Sequence, residues 1–168
     1  MKYFTADCHF SHQNIIKYCS RPYDMYKGMN ASLISKWNDV VTTDDTVYVL
    51  GDVFFGSHHN ELKGILNRLN GTKILILGNH DLLTPWQYIE CGFQSVHTYL
   101  TVDIQGETFN LIHDPASATT CKEVNPNRWL CGHVHTLFKQ LDDYRVINVG
   151  VDVNDFRPIS ENEIMSYD

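Results

Sequence analysis

Seven side chains of this 168-residue chain, all of types that ligate metal ions, close short apolar runs at five ordered places. They are Asp7 with His9, Asp52, Asn79, His113, and His133 with His135. In Asp7-Cys8-His9 a two-residue period throws a carboxylate and an imidazole to one side of an extended backbone. Asp52 offers two oxygens that can bridge a pair of cations, Asn79 offers a neutral amide oxygen, and the three later histidines offer nitrogen. A mixed oxygen and nitrogen set without thiolate suits manganese, iron, zinc or nickel better than calcium. Taken singly each residue is weak evidence, because a histidine at a strand end is usually a hydrogen-bonded structural group and an aspartate before a turn is usually a cap. Seven of them at five strand ends are far harder to dismiss.

Each place closes a short apolar run. The clearest is 73–81, KILILGNHD, in which buried-strand residues run into a glycine turn, and the runs 1–9, 46–52, 109–113 and 129–135 behave alike. Such runs fit interior strands of a sheet covered on both faces. Open α/β sheets place their sites at the carboxyl ends of such strands. The pattern predicts strands over 2–6 and 46–50, and a short helix over 14–19 broken by Arg21-Pro22. It also predicts a helix over 30–41 with Asn30 as N-cap, and an amphipathic helix over 61–69 ended by Asn70-Gly71. A helix over 85–90 stops at Gly92, and strands are expected over 94–104 and 108–112, joined at Gln105-Gly106. Further strands fit 128–131, 137–141 and 145–149. An α/β first half and a β-rich second half indicate two packed sheets flanked by helices, as one domain over 1–168 without a separate cap domain.

With 43% hydrophobic and 20% charged residues the chain can bury a real core. No run approaches the ~18 apolar residues of a membrane span, and the start lacks the apolar segment of a signal peptide. Both point to the cytoplasm and away from a membrane. The cysteines at 8, 19, 91, 121 and 131 form no CxxC pair, so they read as packing thiols and not as a disulfide framework or a zinc ribbon. A net charge of -7 opposes binding of long duplex nucleic acid. Bound divalent cations would reverse that sign locally for a small phosphorylated substrate.

The ordered series DCH (7–9), GD (51–52), GNHD (78–81), His113 and GHVH (132–135) resembles the signature of the calcineurin-like metallophosphoesterases over nearly the whole chain. The resemblance implies a four-layer α-β-β-α sandwich and a two-metal site. Asp7, His9 and His135 would hold one ion, Asn79, His113 and His133 the other, and Asp52 would bridge them. It also implies in-line attack on phosphorus by a shared, acidified water. His80 resembles the family's non-ligand histidine, which protonates or stabilises the leaving oxygen.

One departure bears on substrate. The protein phosphatases of the superfamily read GDxxDRG, whereas here Phe55 stands at the second aspartate and no arginine follows. This disfavours a protein phosphatase and leaves Asp81 as the nearby candidate to orient His80, with a capping role equally in view. His12, Arg21 and Arg157 are candidate phosphate contacts. Phe54, Phe55 and His58 could stack on a base, although burial of the two phenylalanines is the plainer reading. The front segment and the tail NVGVDVNDFRP resemble a compact bacterial and phage branch. The sequence thus points to hydrolysis of a phosphodiester, or a phosphomonoester, in a small nucleotide-like molecule, with manganese as the first choice of metal. A fold that has lost catalysis is the competing reading.

Overall fold

The computed structural model describes residues 1–56, 58–116, 128–141 and 145–167. Its first sheet has the order β10-β1-β2-β3-β4, built from β1 (Lys2–Thr5), β2 (Thr46–Leu50), β3 (Thr72–Ile76), β4 (Ser95–His97) and β10 (Ile159–Ser160). The first four run parallel and β10 is antiparallel to β1. The second sheet has the order β5-β6-β7-β9-β8, from β5 (Leu100–Ile104), β6 (Glu107–Leu111), β7 (Arg128–Cys131), β8 (Gln140–Leu141) and β9 (Val146–Asn148). Two mixed sheets flanked by helices match the expected fold class.

Strand alternation explains the layering. Tyr3, Val47, Val49 and Leu75 point one way and join a core with α1 (Gln13–Tyr18), α2 (Tyr26–Val40), α3 (His59–Leu66) and α4 (Pro85–Cys91). Phe4, Tyr48, Leu50 and Ile76 point the other way and meet Val102, Ile104, Phe109, Leu111, Leu130 and Ile147 of the second sheet. A period of two on strands buried on both faces therefore yields one core per face. α5 (Glu161–Met165) adds Ile164 to the inter-sheet core.

The departures from the expected elements have long-range causes. The single strand expected over 94–104 is two strands, β4 pairing with β3 in the first sheet and β5 with β6 in the second. The chain changes sheet between them, and an alternating pattern reads the same on either side of the crossing. α2 starts at Tyr26 and not near Asn30, because Gln13 Oε1 accepts the Tyr26 amide at 2.9 Å. The Asn30 side chain instead accepts the Ser11 amide at 2.9 Å and donates to Ser11 Oγ at 3.1 Å, which pins the loop after β1. Cys121 lies outside the described residues, whereas Cys8 and Cys131 are buried packing thiols as expected.

Asn148, fully buried at the end of β9, ties the next loops to the sheet. Its Nδ2 donates to His135 O at 2.9 Å and Phe138 O at 2.8 Å, and its Oδ1 accepts from the Gly150 amide at 2.8 Å. Asn148→Ala would strand those groups without partners, at about 1–3 kcal/mol. The melting temperature should fall by roughly 5 °C in calorimetry. An unchanged melting point would remove Asn148 as the anchor.

Candidate metal centre

The seven candidate ligands lie where β1, β2, β3, β6 and β7 run out. Asp7, His9, Asp52, His133 and His135 adopt left-handed backbone, at φ 57°, 47°, 51°, 71° and 45°. For residues with a Cβ this costs about 1–3 kcal/mol each and persists only where neighbouring contacts impose it. Those contacts are present. The Asp7 amide donates to Gly51 O at 3.0 Å and the His9 amide to Asp52 O at 2.9 Å, so the first two loops leave the sheet side by side. The Gly132 amide donates to His113 O at 3.0 Å, which does the same in the second sheet.

The side chains then converge. Asp7, His9 and His135 each present one ligand atom within 4.8 Å of the others, as do Asp7, Asp52 and His113. Asp52 links the groups, with Oδ2 3.5 Å from His9 Nε2 and Oδ1 3.5 Å from His113 Nε2. Asn79 Oδ1 lies 3.0 Å from both His113 Nε2 and His133 Nδ1. Glycine is needed where backbone crosses the cluster. A Cβ on Gly78 would sit 2.3 Å from Asp52 Oδ1, and one on Gly132 would sit 2.7 Å from Asp7 Oδ2.

The donor set fits cations. His9 Nε2 is buried without a hydrogen-bond partner, which is costly for a ring nitrogen unless a cation takes its lone pair. Burial holds the His9 imidazolium pKa down to about 3, so the ring is a neutral ligand. Two of the other rings have one nitrogen engaged: His113 Nδ1 donates to Leu50 O at 2.7 Å, and His135 Nδ1 faces Asp152 Oδ2 at 2.8 Å. Burial pushes the Asp7 carboxyl up to about 7, against the pull of nearby His113 and His135. Burial also opposes ionisation of Asp52, but its hydrogen bond and charge contact with His113 hold it at about 2.

The remaining candidates divide. His80 is exposed at the rim, its ring 5.7 Å from that of His9, and its amide donates to Asp52 Oδ1 at 2.9 Å. His12 lies beside His9, with their Nδ1 atoms 3.3 Å apart, and stacks on Phe55 at 4.0 Å. Asp81 does not orient His80. Its carboxylate accepts the amides of Asp52, Val53 and Gly78 at 2.8–3.0 Å, and so holds the two loops together.

Arg21 is not a phosphate contact either. Its side chain is fully buried, paired with Asp152 at 2.8 and 2.9 Å and donating to the Asp7 and Cys8 carbonyls at 2.7 and 3.0 Å. Arg157 pairs with Glu163 at 2.7 Å. Cys8 is buried, and that burial pushes its thiol up to about 12. Asp152 is the functional residue that pattern reading missed. Its only trace was the tail motif, since its partners Arg21 and His135 are distant in sequence.

A pair of mixed sheets whose strand ends gather two buried carboxylates, an amide and four imidazoles forms a candidate metal-binding site of the kind hydrolases carry. The chain belongs to the calcineurin-like phosphoesterase superfamily, whose domain model matches residues 4–157. It is 35% identical over 167 residues to an uncharacterised protein of Methanocaldococcus jannaschii, covering 94% of this chain and 85% of that one. A protein of unknown function from Aquifex aeolicus has the same structure at a TM-score of 0.82, with 30% identity over 98% of this chain and 97% of that one. A novel archaeal phosphodiesterase, 19% identical, shares the fold at a TM-score of 0.51 over 89% of this chain and 82% of its own.

The site's charges predict a pH signature in chelator-treated protein. Asp7 is raised to about 7 by burial; His113 reaches about 9 and His135 about 10 because carboxylate partners outweigh burial. A group whose folded pKa is raised loses its stabilising contribution as pH climbs through that value. His9 and Asp52, depressed to about 3 and about 2, act in the opposite sense only below their unfolded values of 6.5 and 3.8. The melting temperature should therefore fall as pH rises from about 6.5 through about 9, on account of His113 and His135, Asp7 acting only between about 3.8 and about 7. Added manganese competes with those protons, so its stabilisation should grow over the same interval. A flat profile without metal would contradict the charge arrangement.

Proposed function

We propose that the protein is a cytoplasmic phosphodiesterase that uses two divalent cations, manganese first among them, on a small nucleotide-like diester. The observation that carries this reading is Asp52, whose two oxygens each face a different imidazole at 3.5 Å. One ion would then be held by Asp7, His9 and His135, the other by Asn79, His113 and His133, with Asp52 common to both. When bound, such a pair of ions acidifies water and draws charge from the phosphoryl oxygens.

The protein's own groups supply the rest. Asp152 keeps His135 Nδ1 engaged so that Nε2 remains for the ion. His80 holds a proton at the rim for the leaving oxygen, its backbone fixed to Asp52. His12 lies next to His9 and contacts the phosphoryl group from the same side. Arg157 is placed with the substrate only if it leaves Glu163.

A diester is favoured because two clefts flank the 78–82 turn, one for each substituent on phosphorus. One, of about 350 Å³, includes His80; the other, of about 370 Å³, includes Asn79, His113 and His133. Buried thiols without disulfides among the described residues accord with a reducing compartment. The acidic surface repels long polyanions, so short substrates are preferred over duplex nucleic acid.

With manganese, bis-nitrophenyl phosphate should be hydrolysed faster than nitrophenyl phosphate, a phosphoserine peptide or duplex DNA. The comparison belongs at two ionic strengths, because salt relieves repulsion of the long polymer. A phosphopeptide that is the best substrate in both would overturn the diester assignment.

Two variants separate ligand from catalyst. Asp52→Asn should lose bound metal by elemental analysis together with activity. His80→Ala should keep its metal and lose about 10²- to 10⁴-fold in rate, less with nitrophenol as leaving group. Two full equivalents of metal in the Asp52 variant, or normal turnover of an alkyl ester by the His80 variant, would reverse these roles.

A further inference from the structure

The two clefts differ in chemistry, and the difference has nothing to do with holding metal. The one beyond His80 is walled by Phe54, Phe55 and Leu83, floored by Tyr88 and edged by Leu82. Phe55 is 45% exposed and Leu82 85% exposed, so large apolar surface is left in water beside a polar centre. Surface of this kind next to a site marks a place where something apolar binds.

Its construction is rigid. Tyr88 is buried, and its hydroxyl donates at 3.3 Å to Asp81 Oδ1, the carboxylate that also holds the Asp52, Val53 and Gly78 amides. The floor of the cleft is thereby tied to the loops that carry Asp52 and Asn79. Phe55 is braced on one face by the His12 ring, 4.0 Å away and inclined by 15°. Its ring also meets His80 edge-on at 6.2 Å. His80 thus stands between the ligand cluster, where its ring is 5.7 Å from His9, and the apolar cleft.

We infer that this cleft is a subsite for a flat, uncharged aromatic ring carried by the ester, a nucleobase being the fitting class, with Phe55 as the residue that selects it. The inference rests on the phosphoesterase reading and adds to it the side on which the ring lies. Because His80 borders the cleft, the ring belongs to the group whose oxygen His80 would protonate. A braced aromatic face offers stacking to any base.

The test uses phosphonates, whose carbon–phosphorus bond resists hydrolysis: adenosine 5′-phosphonate and ribose 5-phosphonate, which differ only in the base. Calorimetry on the wild-type chain, with and without manganese, should give at least a tenfold tighter affinity for the adenosine compound. Phe55→Ala should reduce that ratio towards one, whereas Phe55→Trp should preserve it. Equal affinities in the wild type, a ratio untouched by Phe55→Ala, or no measurable binding of either compound would each overturn the subsite. The outcome is independent of turnover. A protein that hydrolyses esters but ignores the base retains the phosphoesterase reading and loses the subsite, and one that prefers the base but hydrolyses nothing does the reverse.

Discussion

Two carboxylates buried almost without solvent, Asp7 and Asp52, are the constraint to which the rest of this structure answers. Taking an ionised carboxylate out of water costs several kcal/mol unless positive charge or donors replace the lost hydration. The fold answers with backbone donors first. The His133 amide reaches both Asp7 oxygens, at 3.1 and 2.9 Å, and the His80 amide reaches Asp52. Three amides on Asp81 fix the geometry of the turn behind them. To aim these amides, five residues accept left-handed backbone, and glycines occupy the positions where any Cβ would collide with the carboxylates. The residual negative charge is what gives the centre its affinity for cations.

The same requirement explains what the sequence made legible. Ligand types are imposed by chemistry and recur at strand ends, so Asp7, His9, Asp52, Asn79, His113, His133 and His135 could all be picked out before any contact was known. The strands were readable because residues buried on two faces must be apolar in an unbroken run. The supporting groups were not readable, because their meaning lies in partners far along the chain. Arg21 looked like a phosphate contact and is an internal tie; Asp81 looked like a partner for His80 and instead accepts the Asp52, Val53 and Gly78 amides. Asn30 looked like a helix cap because a local rule permits it, yet a glutamine from the preceding helix took that task. The sheet change after β4 left no mark, since alternation carries no label for the sheet it serves.

The surroundings of the centre are asymmetric. On one flank lie polar groups, with Asn79, Asp114 and His133 along the wall; on the other lie aromatic and aliphatic side chains. Charge and shape are thereby divided. Cations held by the cluster would give a local positive focus against a chain of net charge -7, whereas the other flank is mainly uncharged. Because Tyr88 of the apolar flank donates to Asp81, and Asp81 holds the amides of the ligand loops, that flank is fixed to the cluster by the framework and not by flexible side chains.

The Arg21–Asp152 pair spans 131 residues of sequence, and the same guanidinium grips the carbonyls of Asp7 and Cys8. Contacts so distant along the chain form after local ones, because loop closure must precede them. The first sheet can register its parallel strands while His135 is still without the carboxylate that fixes its tautomer. The carboxylate that engages His135 is therefore in place only once residues 21 and 152 have met, so the geometry of this ligand is coupled to closure of the chain between them.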